Sequence, residues 1–179
     1  GAFFVFLGSS QPIIDTIYDR PGWFAATFGL VSAVQGISVW VVSRRVERLG
    51  TARVALVAYS LNVVAYGALT AAAIAYDGVP SFALWVILVT ITSTASTIVT
   101  STAVSLNLEP MERIAGTASA VRGVATLGLG SILAWVIDRQ IQDTITPMAL
   151  GGLLYCSIGL GVLLWARGGS LAVIDPDAH

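Results

Sequence analysis

The side chains in this sequence that could do chemistry are mostly hydroxyls, amides and a few charges set inside long apolar runs. The chain has one cysteine and one histidine. Cys156 lies in the middle of an apolar run and is predicted to be a packing residue, while His179 ends a polar tail. We therefore expect no disulfide, no metal site, no cofactor and no histidine-dependent catalysis. The chemistry left to this chain is hydrogen bonding and charge interaction by polar side chains that lie among apolar ones.

Eight such side chains are candidates for contact with a substrate that moves along a pathway between the apolar segments. They are Gln11, Asp15, Gln35, Asn62, Tyr66, Thr94, Thr97 and Arg122. Asn62 and Tyr66 share one helix face with Tyr59, at positions i, i+3 and i+7. Two interpretations stay open for Asn62 and Gln35. One is an interhelical hydrogen bond worth about 0.6 to 2 kcal/mol, and the other is the orientation of a substrate in a wet cavity.

The apolar run at residues 81–107 is polar around much of its circumference. One face carries Thr90, Thr94, Thr97, Ser101 and Ser105, and an adjacent face carries Thr92, Ser93, Ser96 and Thr100. Such hydroxyls predict either tight helix packing or the wall of a pathway. Arg122 either snorkels or pairs within the bundle, or it contacts a substrate or anion. Asp15, four residues after Gln11, is either an interfacial carboxylate or part of the same cavity.

The elements that must position these side chains are membrane-spanning helices. Hydrophobic residues make up 56% of the chain and charged residues 11%, and the mean hydropathy is +0.84. A helix crosses the hydrocarbon core with roughly 20 apolar residues, and runs without period-two alternation exclude a barrel. We predict an all-α, six-helix transmembrane bundle as one domain over residues 1–168, with a polar cytoplasmic tail at 169–179. The predicted spans are residues 1–18, 22–43, 54–76, 81–107, 114–137 and 147–166.

The distribution of arginine predicts how the bundle is oriented. The chain has nine arginines and no lysine. Six follow alternate spans, namely Arg44, Arg45, Arg48, Arg53, Arg113 and Arg167, whereas the opposite connections hold only Arg20 and Arg139. Because positively charged short loops stay in the cytoplasm, we place the 44–53 connection and the C-terminus there, in a plasma membrane or bacterial inner membrane. Trp23, Trp85 and Trp135 are predicted to form an interfacial belt at the other surface.

Stripes of small residues predict where helices approach each other closely. The two stripes are Gly29, Ala33 and Gly36 in the second span, and Gly116, Ala120 and Gly123 in the fifth. The sixth span is also rich in glycine, with Gly151, Gly152, Gly159 and Gly161. Small side chains let two helix backbones come close together in a membrane.

Two segments resemble the major facilitator superfamily of transporters. Residues 43–53, which read SRRVERLGTAR, resemble the arginine-and-glycine loop between the eighth and ninth helices of that family. Residues 107–120, which contain NLEP and AGTASA, resemble the entry to its eleventh helix. The second pattern is most similar to the drug:proton antiporters of the bicyclomycin-resistance type. The resemblance covers residues 1 to about 168 and implies the C-terminal half of such a transporter, helices seven to twelve.

The resemblance also implies a mechanism and a set of partners. Two six-helix halves would rock about a midplane site, and proton entry would drive expulsion of a small amphipathic compound. The implied partners are this small molecule, protons, the lipid bilayer and an N-terminal six-helix half, with no nucleic acid. The implied gating residues are Arg44, Arg45, Glu47, Arg48, Gly50 and Arg53. The same arginines fix topology whatever else they do.

Two other functions stay open from the sequence. A metabolite uniporter or importer uses the same fold, because a fold fixes neither substrate nor direction. A six-span scaffold subunit is the second alternative. An enzyme is not expected, since an intramembrane hydrolase needs a nucleophile with a base or paired metal ligands inside its spans. Because the sequence starts at Gly1 without an initiator methionine, we expect it to be part of a longer protein.

Overall fold

The computed structural model describes residues 2–108, 115–140 and 144–170, and every element within them is helical. Helix α1, Ala2–Pro12, continues into a π-helical turn at Ile13–Ile17. The remaining helices are α2 (Trp23–Leu49), α3 (Thr51–Ala75), α4 (Phe82–Leu108), α5 (Ala115–Asp138) and α6 (Thr146–Ser170). The predicted all-α fold class is confirmed.

Five of these helices, α2 to α6, are long and apolar enough to cross a membrane. Such helices satisfy all their backbone hydrogen bonds internally, which a lipid environment requires. Helix α1 with its π-turn is shorter, as its sequence predicts. The described helices overlap all six predicted spans, and together they indicate an integral membrane protein.

The packing of the helices has an approximate internal symmetry. Helix α2 packs on α4, and in the same way α5 packs on α1. Helices α2 and α5 make few contacts with the helices that follow them, α3 and α6, whereas α3 and α6 pack closely on each other. Exchanging α1–α3 with α4–α6 therefore reproduces this part of the contact pattern. The most extensive interface, between α3 and α4, has a less extensive counterpart between α6 and α1, so the symmetry is only approximate.

The two symmetry-related helices α2 and α5 are the least buried. Only 11% of the α2 span and 12% of the α5 span is buried, against 39% for α3 and α4. The core instead lies among α1, α3, α4 and α6, around Tyr66, Leu69, Trp85 and Met148. Helices α2 and α5 thus each expose a broad face.

One end of the bundle, which we call the arginine end, departs from the predicted loop. Helix α2 continues to Leu49, so Arg44 and Arg45 lie in its last turns, and α3 begins at Thr51 with Arg53 in its first turn. Only Gly50 separates the two helices, with a φ of 79° that L residues rarely adopt. Its N–H donates to the Val46 carbonyl at 2.9 Å and ends α2. The prediction of a loop over residues 43–53 is wrong, because α2 continues through these charged residues to Leu49 and α3 begins at Thr51.

The opposite end, which we call the aromatic end, is closed by ring contacts. Tyr18 lies 5.2 Å from Phe82 and 5.5 Å from Trp85 between ring centroids, and its hydroxyl donates to the Pro80 carbonyl at 2.9 Å. Trp85 is 0% exposed, so its predicted place in a lipid-facing belt is wrong. It packs in the core because α4 turns this face toward Tyr18. Trp23 and Trp135 are exposed, as a belt requires.

Arginine stacks on tryptophan at both ends of α2. The Arg20 guanidinium lies 5.6 Å from the Trp23 ring, and that of Arg44 lies 4.0 Å from the Trp40 ring. Tryptophan and arginine favour the interface between hydrocarbon and water. Seventeen residues separate the two tryptophans, which corresponds to about 26 Å along a helix. This distance is close to the thickness of a hydrocarbon core, about 30 Å.

Candidate functional site

The candidate site is built on α4, which carries hydroxyl side chains along an otherwise apolar helix. Many of these hydroxyls donate to a carbonyl one turn earlier in α4, as in Thr90 to Val86 at 2.6 Å and Thr97 to Ser93 at 2.9 Å. This local bond satisfies the hydroxyl without help from another helix. It explains how so polar a sequence forms a helix suited to a membrane.

The two hydroxyl faces of α4 have different surroundings. Thr92, Ser93 and Ser96 are buried, at 1%, 1% and 4% exposure. Thr94 and Thr97, on the other face, are only partly buried. The buried face packs on α3. The other face keeps part of its side-chain surface exposed. The buried face is therefore a packing face, whereas for the face of Thr94 and Thr97 both predicted alternatives, packing and pathway, stay open.

A buried polar seam joins α3 to α4. The Asn62 side-chain amide donates to the Ser96 hydroxyl at 2.9 Å, and Asn62 is 2% exposed. Tyr66, one turn further along α3, is 1% exposed and interacts with the hydroxyls of Thr92 and Ser96. For Asn62 the structure therefore favours the interhelical hydrogen bond over direct contact with a substrate.

Three polar atoms of this region are buried without a hydrogen-bond partner: Asn62 Oδ1, Ser93 Oγ and Thr94 Oγ1. An unsatisfied buried polar group destabilises a fold by about 1–3 kcal/mol, and native structures retain few of them. A fourth such atom among the described residues, Trp85 Nε1, lies nearer the aromatic end, so the other three form a cluster near the middle of α4 with capacity for additional hydrogen bonds.

A cavity of about 290 Å³ opens below this region, toward the arginine end. It is bounded by α2, the start of α3, and α4, with Ser43, Thr51, Ser101 and Thr102 among its lining residues. The remaining lining residues are Val39, Val42, Val46 and Ile98. Its mixed lining suits an amphipathic group better than an ion.

Gln35 and Thr94 lie at the same depth above this cavity. Trp23 and Phe82 contact each other at the aromatic end, 6.1 Å between ring centroids, and α2 and α4 run in the same direction from there. Gln35 is twelve residues after Trp23, and Thr94 is twelve residues after Phe82. Both are therefore about 18 Å along their helices, one turn above Val39 and Ile98 of the cavity wall. Both are partly buried.

The remaining pathway candidates lie away from this depth or outside the described side chains. Gln11 is exposed near the end of α1, and Asp15 is partly buried in the π-turn close to the aromatic end. The π-turn changes the rotation of the helix between them, so the predicted shared face is not a simple i, i+4 pair. The side chains of Arg122, Glu47 and Arg48 lie outside the described part of the structure.

The predicted packing stripes of α2 and α5 meet no other helix among the residues that the structure describes. A Cβ added at Gly29, Gly36, Gly116 or Gly123 would meet nothing within 4 Å. Ala33 and Ala120 are exposed. The fold turns both stripes outward, so the close approach of another helix backbone to them stays a prediction. They lie on the two helices that are least buried.

The arginines predicted to gate access have distinct positions. Arg44 is exposed and stacks on Trp40, and it does not line the cavity between α2 and α4. Arg45 and Arg53 border a second, more apolar cavity of about 410 Å³ between α2 and α3. Val42 and Ile98 line both cavities and separate them. Gly50 forms the sharp turn between the two helices.

Sequence reasoning overlooked the contacts that hold the seam in place. The ring of Tyr66 lies on Gly152, and the ring of Tyr59 lies on Gly159. The two tyrosines are seven residues apart on α3, and the two glycines are seven residues apart on α6. Seven residues are close to two helical turns, so the same two helix faces meet at both contacts. A tyrosine pair at this spacing in one span and a glycine pair at the same spacing in another was the available signal.

No family model, curated protein or solved structure matches this chain significantly. Within the described residues, no group of three or more histidine, cysteine or acidic side chains could hold a metal ion. The function is therefore inferred from the helix bundle and from the level within it at which Gln35, Asn62 and Thr94 lie, which we call the polar depth.

Proposed function

We propose that this chain is a six-helix half of a transporter of the major facilitator type, which moves a small amphipathic compound across a membrane by alternating access. In the proposed form, the compound is a drug-like molecule, its efflux is coupled to protons, and a second six-helix unit completes the transporter. The arginine end faces the cytoplasm.

The observation that carries the proposal is the internal symmetry of the packing. Since α1 runs toward the aromatic end and α4 runs away from it, the triples α1–α3 and α4–α6 have opposite directions. They nevertheless make equivalent contacts, α2 on α4 and α5 on α1. Inverted three-helix repeats nested within each six-helix half are a property of this transporter architecture. A scaffold subunit has no need of such an arrangement.

The exposed helices α2 and α5 support the part of the proposal that concerns a second unit. They are equivalent under the symmetry, each is barely buried, and each turns a stripe of small residues outward. Small residues allow a facing helix to approach closely and to slide. We propose that the second six-helix unit packs on these two helices and that rocking occurs across this contact.

The polar depth supports the position of the substrate. Thr94 Oγ1 is buried and unpartnered, and Gln35 lies at the same depth, above a cavity that opens to the arginine end. A compound entering from the cytoplasm would reach these two side chains after passing Ser43, Ser101 and Thr102. Its apolar part would contact the valines, and a polar group would bond to Thr94 or Gln35.

The buried seam has a different role in the proposal. Asn62 and Ser96 are hydrogen-bonded to each other and inaccessible. They hold α4 in register on α3, so that the accessible face of α4 stays aimed at the cavity. Asp15 lies near the aromatic end, and the carboxylate that couples proton movement would come from the second unit.

The experiment that tests this proposal is transport in proteoliposomes made with the complete protein. The probe is ethidium, a fluorescent amphipathic cation. The vesicles are acidic inside, so protons that leave them drive the accumulation of ethidium inside. We expect Thr94→Val to lower the initial rate at least about tenfold while the amount of folded protein is unchanged. The matched control is Thr90→Val, because that hydroxyl is already bonded to its own helix.

Three results would count against the proposal. Accumulation that does not depend on the gradient contradicts proton coupling. Equal rates for Thr94→Val and Thr90→Val contradict the assigned depth. Gradient-dependent loss of ethidium from loaded vesicles in the opposite direction would instead indicate an importer.

A further inference from the structure

We propose that the second cavity is a binding site for one anionic phospholipid, whose phosphate lies between Arg45 and Arg53 and whose acyl chain fills the cleft. This inference does not depend on the proposed transport function. It rests on the shape of the cleft, on its lining and on the positions of the two charged residues that the structure describes there.

The cleft exists because α2 and α3 diverge. They are joined by Gly50 alone, yet α2 packs mainly on α4 and touches α3 little. The space between them is about 410 Å³, within the range of about 300–1,000 Å³ that ligand clefts occupy. Ile98 of α4 forms part of its lining.

The lining of the cleft is apolar except at one end. Its described apolar residues are Val41, Val42, Val54, Val57, Ala58, Leu61 and Ile98. Val57 is 68% exposed and Leu61 is 47% exposed, so the cleft opens sideways to the surroundings of the bundle. In a membrane those surroundings are lipid chains. An acyl chain can therefore enter from the bilayer without crossing water.

Of the residues that the structure describes, two in the lining are charged, Arg45 and Arg53, and both belong to the arginine end. Arg53, Val57 and Leu61 follow one another at steps of four on α3, so a guanidinium ends an apolar stripe about 12 Å long. On α2, Arg45 ends a similar stripe that begins at Val41. Guanidinium groups bind phosphate with two parallel hydrogen bonds each. A basic pocket between transmembrane helices near the membrane surface is suited to an anionic lipid headgroup.

The test is native mass spectrometry of the complete protein released from mixed micelles. The micelles contain equal amounts of phosphatidylglycerol and phosphatidylcholine with the same acyl chains. Two arginines near the membrane surface give a preference of about 30-fold for the anionic lipid. We expect one retained phosphatidylglycerol for each protein, and a preference below about threefold in the double variant Arg45→Gln, Arg53→Gln.

A matched control separates this site from general attraction of charge. Arg44 and Arg139 are exposed and stack on Trp40 and Trp135, and neither lines the cleft. The double variant Arg44→Gln, Arg139→Gln removes the same charge and should keep the full preference. Equal loss of preference in both double variants would overturn the proposal.

A second variant tests the apolar part of the site with both arginines in place. Ala58→Trp fills the cleft, and it should lower the retained phosphatidylglycerol at least about fivefold. Glycerophosphoglycerol, which has the headgroup without acyl chains, should not be retained. Undiminished binding by Ala58→Trp, or retention of the chainless headgroup, would overturn the assignment of the cleft to a lipid.

Discussion

The ring of Tyr66 on α3 lies directly against Gly152 on α6, where an added Cβ would overlap Tyr66 Cε1. Seven residues away in each helix, Tyr59 lies against Gly159, where a Cβ would stand 2.8 Å from Tyr59 Cε1. The two contacts fix the antiparallel register of α3 and α6. They also hold Tyr66 against the hydroxyls of α4, and so connect the packing of α6 to the polar seam.

We predict that Gly152→Ala destabilises the protein by about 1–3 kcal/mol, because the added methyl group overpacks the interface with Tyr66. The control is Gly161→Ala in the same helix, where a Cβ would meet nothing within 4 Å. It should change stability by less than about 0.5 kcal/mol. Unfolding in mixed micelles with increasing dodecyl sulfate measures both. Equal stabilities of the two variants would show that Tyr66 can move away without loss.

The hydrogen bond between Asn62 and Ser96 should appear as a coupling energy. A double-mutant cycle with Asn62→Ala and Ser96→Ala should give about 0.6 kcal/mol, and no more than about 1.7 kcal/mol, as for other bonds between membrane helices. The cycle of Asn62→Ala with Thr90→Ala should give a value near zero, since Thr90 bonds to the Val86 carbonyl. A coupling for Ser96 as small as that for Thr90 would mean that the seam does not stabilise the α3–α4 pair.

The turn at Gly50 should be sensitive to any side chain. Its φ of 79° costs an L residue about 1–3 kcal/mol. We therefore expect Gly50→Ala to destabilise the protein by that amount, although nothing lies within 4 Å of its Cβ position. Gly67→Ala, at a helical position in equally open space, is the control, and dodecyl sulfate unfolding again compares them. A neutral Gly50→Ala would mean that the turn relaxes readily and that α2 and α3 are not held apart there.

The arginine end should face the cytoplasm. In a Cys156→Ala background, we expect Arg139→Cys to react with a membrane-impermeant maleimide in intact cells, and Arg44→Cys to react only after the cells are opened. Both positions are exposed, so accessibility depends on the side of the membrane alone. The reverse pattern would place the arginine end outside and contradict the inference from arginine distribution.

The helices were predictable from sequence because each membrane span needs a long apolar run, and such runs are visible without knowledge of the fold. The end of α2 was not, since hydropathy marks where a helix leaves the apolar layer and not where its backbone hydrogen bonds stop. The charged turns from Arg44 to Leu49 stay helical, and Gly50 ends them.

The candidate site was only partly predictable. The spacing of Thr94, Asn62 and the small residues showed which side chains share a helix face, but not which face the fold turns inward. Asn62 is buried against Ser96, whereas Gly29 and Gly116 face outward. The internal symmetry was not predicted, because it is a property of the contacts between helices.

The central claim is alternating access to the depth of Thr94, and one measurement tests it directly. Thr94→Cys, in a Cys156→Ala background, is exposed to a charged, membrane-impermeant thiosulfonate from each side of sealed vesicles at pH 6 and at pH 8. Thr92→Cys, at nearly the same depth but on the buried face of α4, is the control. We predict reaction of Thr94→Cys from both sides, with the ratio of the two rates changing at least about fivefold between the pH values. A reaction rate of Thr94→Cys as low as that of Thr92→Cys would contradict alternating access. So would reaction from one side only, or a ratio of the two rates that is the same at both pH values.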